Sequence, residues 1–328
     1  MQNTIIETKS LQKTFKSHQG KGGKTQLVEA VKGIDLSVQE GEIFGFLGPN
    51  GAGKSTTLRM LTTLIQPTAG QARVVGHDLL RESSQVRKRI GYVSQAGGAD
   101  ETATGRENLI LQGRLYGLSR DAARKRTDEL LISLELASFA DRLVKTYSGG
   151  QRRRLDLALG MVNSPRLLFL DEPTSGLDPQ SRAHLWEEVR KLRALGTTIF
   201  LTTHYLEEAD VLADRLAIMD DGCIVAEGTP DELKQLIAGD VVTLGLETQN
   251  GHYPKIQNLL QGQTFVREMH KGDDEVQLYV ERGEENLAEI IRLVDGAGLR
   301  INKVAMTRPS LDDVFLRKTG RSLRDAAQ

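Results

Sequence analysis

The sequence predicts an α/β fold with a parallel sheet, followed by a smaller α+β domain. Short apolar runs alternate with helical segments as far as residue 235, an order typical of a parallel sheet covered by helices. The predicted buried strands are Ile43–Leu47, Leu167–Leu170, Thr198–Thr202 and Arg215–Met219. The composition shifts near Gly239, which predicts domains at residues 1–238 and 239–328.

A helical subdomain is predicted inside the first domain, at about residues 100–145. Leucines such as Leu109, Leu130 and Leu134 recur there at helical spacing, without a strand-like run. Residues 17–26 are rich in Gly, Lys and Gln, which predicts a flexible loop. A phosphate-binding role for that loop is disfavoured, because no strand and helix flank it in the required order.

The second domain is predicted to be a ferredoxin-like βαββαβ unit. Its expected elements are strand Val241–Glu247, helix Pro254–Leu260, strands Thr264–Met269 and Glu275–Glu281, helix Glu284–Asp295 and strand Leu299–Thr307. A last helix is expected at Ser310–Lys318, with Ser310 as its N-cap.

Bulk properties limit the class of protein. The 328 residues are 39% hydrophobic and 27% charged, a globular balance, and the net charge of −1 gives no field that would recruit nucleic acid. The single cysteine, Cys223, excludes a disulfide framework and a multi-thiolate zinc site. No apolar run approaches the ~20 residues that span a bilayer, and the N-terminus has no secretory signal pattern. Any role at a membrane is therefore expected from the cytoplasmic side, through partners.

The segment Gly48-Pro49-Asn50-Gly51-Ala52-Gly53-Lys54-Ser55 fits the phosphate-binding pattern G-x-x-x-x-G-K-[ST]. It follows the strand Ile43–Leu47 and precedes a predicted helix, Thr56–Leu64. Glycines let backbone N–H groups converge on an anion, and the helix N-terminus adds a positive end. In such loops the lysine reaches the β- and γ-phosphates and the hydroxyl binds Mg²⁺. These roles fall to Lys54 and Ser55.

Two carboxylates end the predicted strand Leu167–Leu170. In P-loop proteins the acid at this strand end holds Mg²⁺, so Asp171 is the candidate ligand. Glu172 follows directly and is the candidate group to orient the attacking water and accept its proton. An apolar strand that ends in Asp-Glu is common by itself. The P-loop upstream and the segment 173–178 downstream make this one specific.

A second anion-binding helix terminus is predicted at residues 148–151, Ser-Gly-Gly-Gln, with Ser148 as the N-cap. The first turn carries Arg152–Arg154, whose charges oppose the helix dipole. That mismatch favours a neighbouring anion or an acidic partner. A nucleic-acid patch is disfavoured, because three basic residues on one helix are usually a solvated face.

Together these motifs resemble the nucleotide-binding subunit of an ABC transporter. The family's motif order is matched by the phosphate loop, Gln95, the 148–151 segment, Asp171-Glu172, Leu177-Asp178 and His204. The resemblance covers roughly residues 4–235. Within that family, residues 105–109, 114–117, 152–158 and 309–316 resemble the daunorubicin/doxorubicin-resistance ATP-binding proteins.

The resemblance implies a role for each matching residue within one chain. The phosphate loop and Thr56 would bind ATP, with the adenine stacked on Phe15, where the family commonly has Tyr. Ser55 and Asp171 would coordinate Mg²⁺, which Gln95 would sense together with the γ-phosphate. Glu172 would be the catalytic base, and His204 would contact the γ-phosphate.

Other implied roles lie across a dimer. Ser148 and Gly150 would contact ATP bound to the opposite subunit, and Asp178 would couple the two sites. The dimer would be a homodimer or a heterodimer with a paralogue, attached to separate transmembrane permease subunits at the cytoplasmic face of the cell membrane. The resemblance and the βαββαβ tail favour an exporter of drugs or other hydrophobic small molecules.

Two other functions compete with transport as interpretations of these motifs. A soluble ABC-type ATPase of translation or DNA repair tends to carry two nucleotide domains, a long coiled coil or zinc cysteines, and this chain has one phosphate loop, no sustained heptads and one cysteine. A small-molecule kinase on a P-loop fold would need neither the 148–151 segment nor the 173–178 segment. The sequence therefore favours a transport ATPase that binds no nucleic acid.

Overall fold

The structure, a computed structural model, describes residues 3–18, 25–237, 239–246, 252–271 and 275–321. The chain divides into two compact units, and the division falls between Pro230 and Asp231. The domain boundary predicted from the sequence, after residue 238, lies eight residues closer to the C-terminus. Residues 231–235 of the helix Pro230–Gln235 belong to the second unit. Just after this helix, the Leu236 carbonyl accepts from the Arg317 guanidinium at 2.5 Å.

Unit 1 is an α/β unit. Its described strands are β1 (Thr4–His18), β2 (Thr25–Gln39), β3 (Ile43–Leu47), β4 (Ala69–Val74), β5 (His77–Asp78), β6 (Ile90–Val93), β7 (Leu167–Asp171), β8 (Thr198–Thr203), β9 (Arg215–Asp220) and β10 (Cys223–Gly228). Its described helices are α1 (Lys54–Leu61), α2 (Ser83–Arg87), α3 (Gly105–Leu115), α4 (Arg120–Ser133), α5 (Gly149–Gly160), α6 (Pro179–Ala194) and α7 (Leu206–Leu212). Helix α8 (Pro230–Gln235) begins at the last residue before the division.

The predicted strands of the central sheet are confirmed, and the helix after the phosphate loop is corrected. Each of the four strands begins where it was predicted and ends there or one residue later. The helix predicted at Thr56–Leu64 is α1, Lys54–Leu61. It starts earlier because the phosphate loop leads straight into its first turn. It stops earlier because Thr63 has a φ of 64°, outside the helical region.

The central sheet of the described residues has the order β10-β9-β3-β8-β7-β6. Strands β6, β7, β8, β3 and β9 run parallel, and β10 is antiparallel to β9. Side chains alternate between two cores. Phe44, Phe46 and Phe200 enter one core, while Ile199 and Leu201 enter the other with α3, α5 and α6. Both faces are covered, which explains the continuous apolar runs of these strands.

A second sheet, of order β2-β1-β4-β5, packs its apolar side chains into the core that contains Phe200. Its neighbouring strands are antiparallel. The loop predicted at 17–26 is corrected at its ends, because β1 reaches His18 and β2 starts at Thr25, with these two residues paired. Residues 19–24 lie outside the described part. The predicted helical subdomain is present as α3 and α4, and no strand lies among its residues 105–143.

Unit 2 contains, in order, β11 (Asp240–Leu246), α9 (His252–Leu260), β12 (Val266–Lys271), β13 (Glu275–Val280), α10 (Gly283–Gly296), β14 (Ile301–Thr307) and α11 (Leu311–Thr319). Its sheet has the order β12-β13-β11-β14, with antiparallel neighbours throughout. Helices α9 and α10 bury Ile256 and Ile290 against one face. Ser310 caps α11 as predicted, since its hydroxyl accepts from the Asp313 N–H. Residue 247, predicted as the end of a strand, lies outside the described residues, and the ferredoxin-like assignment stays a prediction.

Within the residues that the structure describes, no helix is both long and apolar enough to cross a bilayer.

Candidate functional site

The phosphate loop connects β3 to α1 at the carboxyl edge of the central sheet. Gly53 has a φ of 104°, and a Cβ there would lie 2.4 Å from the Ala30 carbonyl oxygen. A Cβ on Gly48 would lie 2.3 Å from the Met219 carbonyl oxygen. Both positions therefore require glycine. Among the described residues no side chain caps α1, so its first N–H groups remain to bind an anion.

Lys54 is buried at the bottom of this loop. Its ammonium donates to the carbonyls of Gly48 at 2.6 Å and Pro49 at 2.9 Å, and lies 3.7 Å from Glu172 Oε1. Burial lowers the pKa of Lys54, although Glu172 and Asp171 oppose the shift. A phosphate in the loop would favour the charged form again. The adjoining cleft has a volume of about 350 Å³, and its lining includes Asn50, Gly51, Ser55, Thr56, Gln95 and Glu172.

Asp171 ends β7 and is held by two hydroxyl groups. Its Oδ1 accepts from Ser55 Oγ at 3.0 Å and from Thr202 Oγ1 at 2.7 Å. Sequence reasoning singled out Ser55 and Asp171 but missed Thr202. The only signal for Thr202 is a hydroxyl residue at the end of an apolar strand, and its contact with Asp171 joins neighbouring strands that are distant in sequence.

Glu172 is the point at which the other candidate side chains meet. Gln95 Nε2 donates to its Oε2 at 3.0 Å, and His204 Nδ1 lies 3.3 Å from the same oxygen. Lys54 approaches the other carboxylate oxygen. The neighbouring His204 is the largest cause that holds the pKa of Glu172 below its usual range, against the opposing effect of burial. The carboxylate is therefore ionised at neutral pH and able to accept a proton.

The backbone of Glu172 is in an uncommon conformation. Its φ is 47°, in the left-handed region that residues with a Cβ seldom adopt. Such a conformation persists only where surrounding contacts hold it. On one side the Glu172 N–H lies 3.1 Å from both the carbonyl and the hydroxyl oxygen of Thr202.

The 148–151 segment lies in a different cleft of the same unit. Ser148 caps α5 through a capping box, as predicted, and both Ser148 and Gly150 line a cleft of about 190 Å³ together with Leu177 and Ser181. In the described residues, neither Ser148 nor Gly150 lines the cleft of the phosphate loop. Asp178 caps α6 by accepting from the Ser181 N–H at 2.9 Å. The Ser181 hydroxyl also donates to Asp178 at 2.6 Å and is the largest cause that lowers the pKa of Asp178, followed by the N–H contact.

Phe15 lies on β1, and its strand pairing brings it near the phosphate-loop cleft. It pairs with Val28 of β2, two residues before Ala30, which lines the cleft. The residue is 41% exposed, and the Lys13 ammonium lies 5.1 Å from the ring centroid. Phe15 is not one of the residues that line the described cleft.

The three arginines of α5 do not share one solvated face. Arg152 forms an ion pair with Glu101, and Arg154 forms one with Glu135. Two of the three arginines therefore have an acidic partner within the chain. Arg153 is buried, contrary to the expectation for this run, because its guanidinium donates to backbone carbonyls. Nothing in the sequence marks Arg153 apart from its neighbours.

Comparisons with known proteins identify the family of this chain. A family model for ABC transporters matches residues 31–175, and one for the C-terminal domain of DrrA1-3-like ATP-binding proteins matches residues 228–319. The daunorubicin/doxorubicin resistance ATP-binding protein DrrA of Streptomyces peucetius is 44% identical over 98% of this chain and 96% of its own length. The chain belongs to the ATP-binding subunits of ABC transporters.

Two further comparisons extend the family assignment. The Nod factor export ATP-binding protein I of Ralstonia nicotianae is 40% identical over 90% of each chain. A dimeric post-hydrolysis state of an ATP-binding cassette, bound to ADP and Pi, superposes with a TM-score of 0.62 at 28% identity, covering 69% of this chain and 98% of that one. This ATP-binding subunit is therefore an ABC-type ATPase, and a role in translation or DNA repair is set aside.

Proposed function

We propose that this subunit binds MgATP in the cleft of the phosphate loop, hydrolyses it with Glu172 as the base, and powers export through separate membrane subunits. The observation that carries the proposal is the convergence of Lys54, Gln95 and His204 on the Glu172 carboxylate. Each of these side chains follows a different parallel strand, and ligands of such sheets bind at the carboxyl ends of the strands.

The proposed chemistry is the attack of water on the γ-phosphorus of ATP. Glu172 accepts the water proton, the new P–O bond forms, and the bond to the β-phosphate oxygen breaks, which releases ADP and phosphate. Lys54 and the N-terminus of α1 stabilise charge on the phosphates. His204 donates to the γ-phosphate, and Gln95 holds the water beside Glu172. Phe15 offers an exposed ring face for the adenine.

The donor set at Asp171 fits Mg²⁺. The Ser55 hydroxyl and the Asp171 carboxylate lie 3.0 Å apart and are the hard oxygen donors that this ion prefers. No cluster of three or more His, Cys, Asp or Glu in the described residues forms a metal site by itself. Phosphate and water oxygens would complete the coordination, with Gln95 close by. The bound ion would neutralise charge on the β- and γ-phosphates.

A second copy of the chain would complete each site. Because Ser148 and Gly150 line a cleft apart from the phosphate loop, the N-terminus of α5 is available to ATP held by a partner. Two-fold symmetry would place each phosphate loop opposite the other subunit's α5. Asp178, at the start of α6, would lie at this interface. The dimeric cassette with ADP and Pi supports this arrangement.

The transport role rests on the relatives. Names that specify daunorubicin/doxorubicin resistance and Nod factor export support outward transport of drugs or other hydrophobic small molecules. The membrane path would belong to separate permease subunits, with this subunit bound at the cytoplasmic face. Unit 2 would act as an accessory domain of this subfamily.

The test is Glu172→Gln in the purified full chain. Removal of the base should lower kcat roughly 10²–10⁴-fold while ATP still binds, and ATP should then hold the dimer closed. Glu207→Gln is the matched control, because its carboxylate is largely exposed and 3.9 Å from Arg182. Calorimetry, a phosphate-release assay and size-exclusion chromatography give the three readouts. A Glu172→Gln variant that turns over ATP at the wild-type rate would show that Glu172 is not the base.

A further inference from the structure

Arg153 joins α5 to the end of the catalytic strand. The residue is 8% exposed. Its Nε donates to the Pro173 carbonyl at 2.6 Å, and its Nη2 lies 3.2 Å from the carbonyl oxygens of both Asp171 and Glu172. These contacts surround the peptide units on either side of the catalytic carboxylate. They act on the carbonyl side of Glu172, opposite the contacts that Thr202 makes with its N–H.

The same guanidinium also reaches the segment that carries Gln95. We call residues 94–99 the Gln95 loop. Arg153 Nη1 donates to the Ser94 carbonyl at 2.7 Å, at the start of this loop. At the other end, the Gly98 N–H donates to Asp156 Oδ1 at 2.9 Å. Asp156 lies one helical turn after Arg153 and is buried, so one face of α5 holds both ends of the Gln95 loop.

The two side chains also support each other. Arg153 Nη1 lies 3.9 Å from Asp156 Oδ2, so each buried charge has an opposite charge nearby. A buried guanidinium without partners would be strongly destabilising, and four carbonyl contacts offset that penalty. The planar fork of arginine can point N–H groups at several carbonyls at once, which a lysine ammonium on a flexible stem cannot do.

We propose that Arg153 and Asp156 are a positioning pair that fixes Glu172 and Gln95 relative to each other from α5. The inference rests on the proposed function, in which Glu172 is the base and the N-terminus of α5 meets the partner's ATP. In the proposed dimer, α5 of one subunit contacts the ATP held by its partner. The same helix also positions Glu172 of its own subunit, which belongs to the other site. In the described residues, neither Arg153 nor Asp156 lines the phosphate-loop cleft. Arg153 borders the cleft that contains Ser148 and Gly150.

The backbone of Glu172 shows why such a pair matters. A left-handed φ at a residue with a Cβ is unfavourable by about 1–3 kcal/mol, so the loss of contacts on one side allows the segment to relax. A displacement near 1 Å of a catalytic group lowers rates by as much as ~10²-fold. The pair should therefore affect turnover and leave ATP binding by the phosphate loop largely unchanged.

The experiment compares Arg153→Gln and Arg166→Gln in the full chain. We expect Arg153→Gln to lower kcat about 10- to 10²-fold with a change in the Kd for ATP of less than about 3-fold. Arg166→Gln, which removes a partly exposed ion pair with Glu40 at the opposite end of β7 from Asp171, should keep the wild-type kcat. In a Glu172→Gln background, Arg153→Gln should cause no further loss, because it acts through the carboxylate that is already absent.

Asp156 supplies the second variant, with rescue by the conservative change. Asp156→Ala should lower kcat because it frees the Gly98 N–H, and Asp156→Asn should restore most of the rate because its amide oxygen can still accept that hydrogen bond. This comparison decides the matter even if Arg153→Gln does not fold. Wild-type kcat in Asp156→Ala, or equal kcat in the Ala and Asn variants, would contradict the proposal.

The outcomes separate this inference from the proposed function. If Glu172→Gln is inactive and Arg153→Gln turns over at the wild-type rate, the positioning pair is wrong and the base assignment stands. If Glu172→Gln itself is fully active, the proposed function fails. A loss of ATP affinity in Arg153→Gln that matches its loss of kcat would indicate general damage and would also overturn the positioning role.

Discussion

The hydroxyl of Thr202 offers a sharp test of how the site is held together. Thr202 is fully buried, and its Oγ1 donates to Asp171 Oδ1 at 2.7 Å. Valine has nearly the same shape without the hydroxyl. A hydrogen bond to a charged group contributes about 1.5–3 kcal/mol, so Thr202→Val should lower the free energy of unfolding by about 2 kcal/mol. The Glu172 N–H keeps the Thr202 carbonyl as a partner, so no backbone donor is orphaned.

The assay is thermal unfolding followed by calorimetry. At about 2–4 °C per kcal/mol for a domain of this size, the midpoint of Thr202→Val should fall by about 4–8 °C. Thr202→Ser keeps the hydroxyl and removes only a methyl group, so it should lose less, about 1 kcal/mol. A Thr202→Val variant that unfolds at the wild-type temperature, or a serine variant that is equally destabilised, would refute this account of Asp171.

Two further variants test buried ionisable side chains in unit 1. Lys54→Ala should weaken ATP binding itself, because it deletes a charge-assisted contact to phosphate, and an unchanged Kd in calorimetry would contradict the phosphate-loop assignment. Glu208 is fully buried and accepts from Trp186 Nε1 at 3.1 Å, and burial raises its pKa. The folded state then binds the proton more tightly than the unfolded state, so this group's contribution to stability should decline as pH rises above the ordinary glutamate pKa. Denaturation curves from pH 4 to 8 give the free energy of unfolding of the wild type and of Glu208→Gln, and the variant should lack this decline. If the free energy of unfolding changes with pH in the same way for both proteins, Glu208 does not contribute the decline.

The parts of the fold that follow from local pattern were predictable from the sequence. The strands of the central sheet appear as continuous apolar runs because both of their faces are buried. Ser148 and Ser310 were recognisable as N-caps because Ser is a preferred residue at that position, where its hydroxyl accepts from a backbone N–H of the first turn. The phosphate loop was recognisable because its strand, loop and helix are consecutive in the sequence.

Contacts between distant segments were not predictable in this way. The burial of Arg153 depends on carbonyls at residues 94 and 171–173, which come together only through the order of strands β6 and β7 in the sheet. Local composition favoured a solvated face. Likewise, the ends of the 17–26 segment pair as strands because the hairpin continues from β1 and β2, although the residues themselves favour a loop.

We propose that two chains build each active site, and a mixing experiment tests this arrangement most directly. Lys54→Ala damages the phosphate loop, and Ser148→Arg blocks the N-terminus of α5, so each variant alone should be inactive. A heterodimer contains one site with both parts intact. Random mixing of equal amounts makes half of the dimers heterodimers with one of two sites intact. If one intact site turns over alone, recovery should approach about a quarter of the wild-type ATPase activity. No recovery in a mixture that cross-linking shows to contain heterodimers, or full activity of Ser148→Arg alone at dilutions where only monomers exist, would contradict the claim.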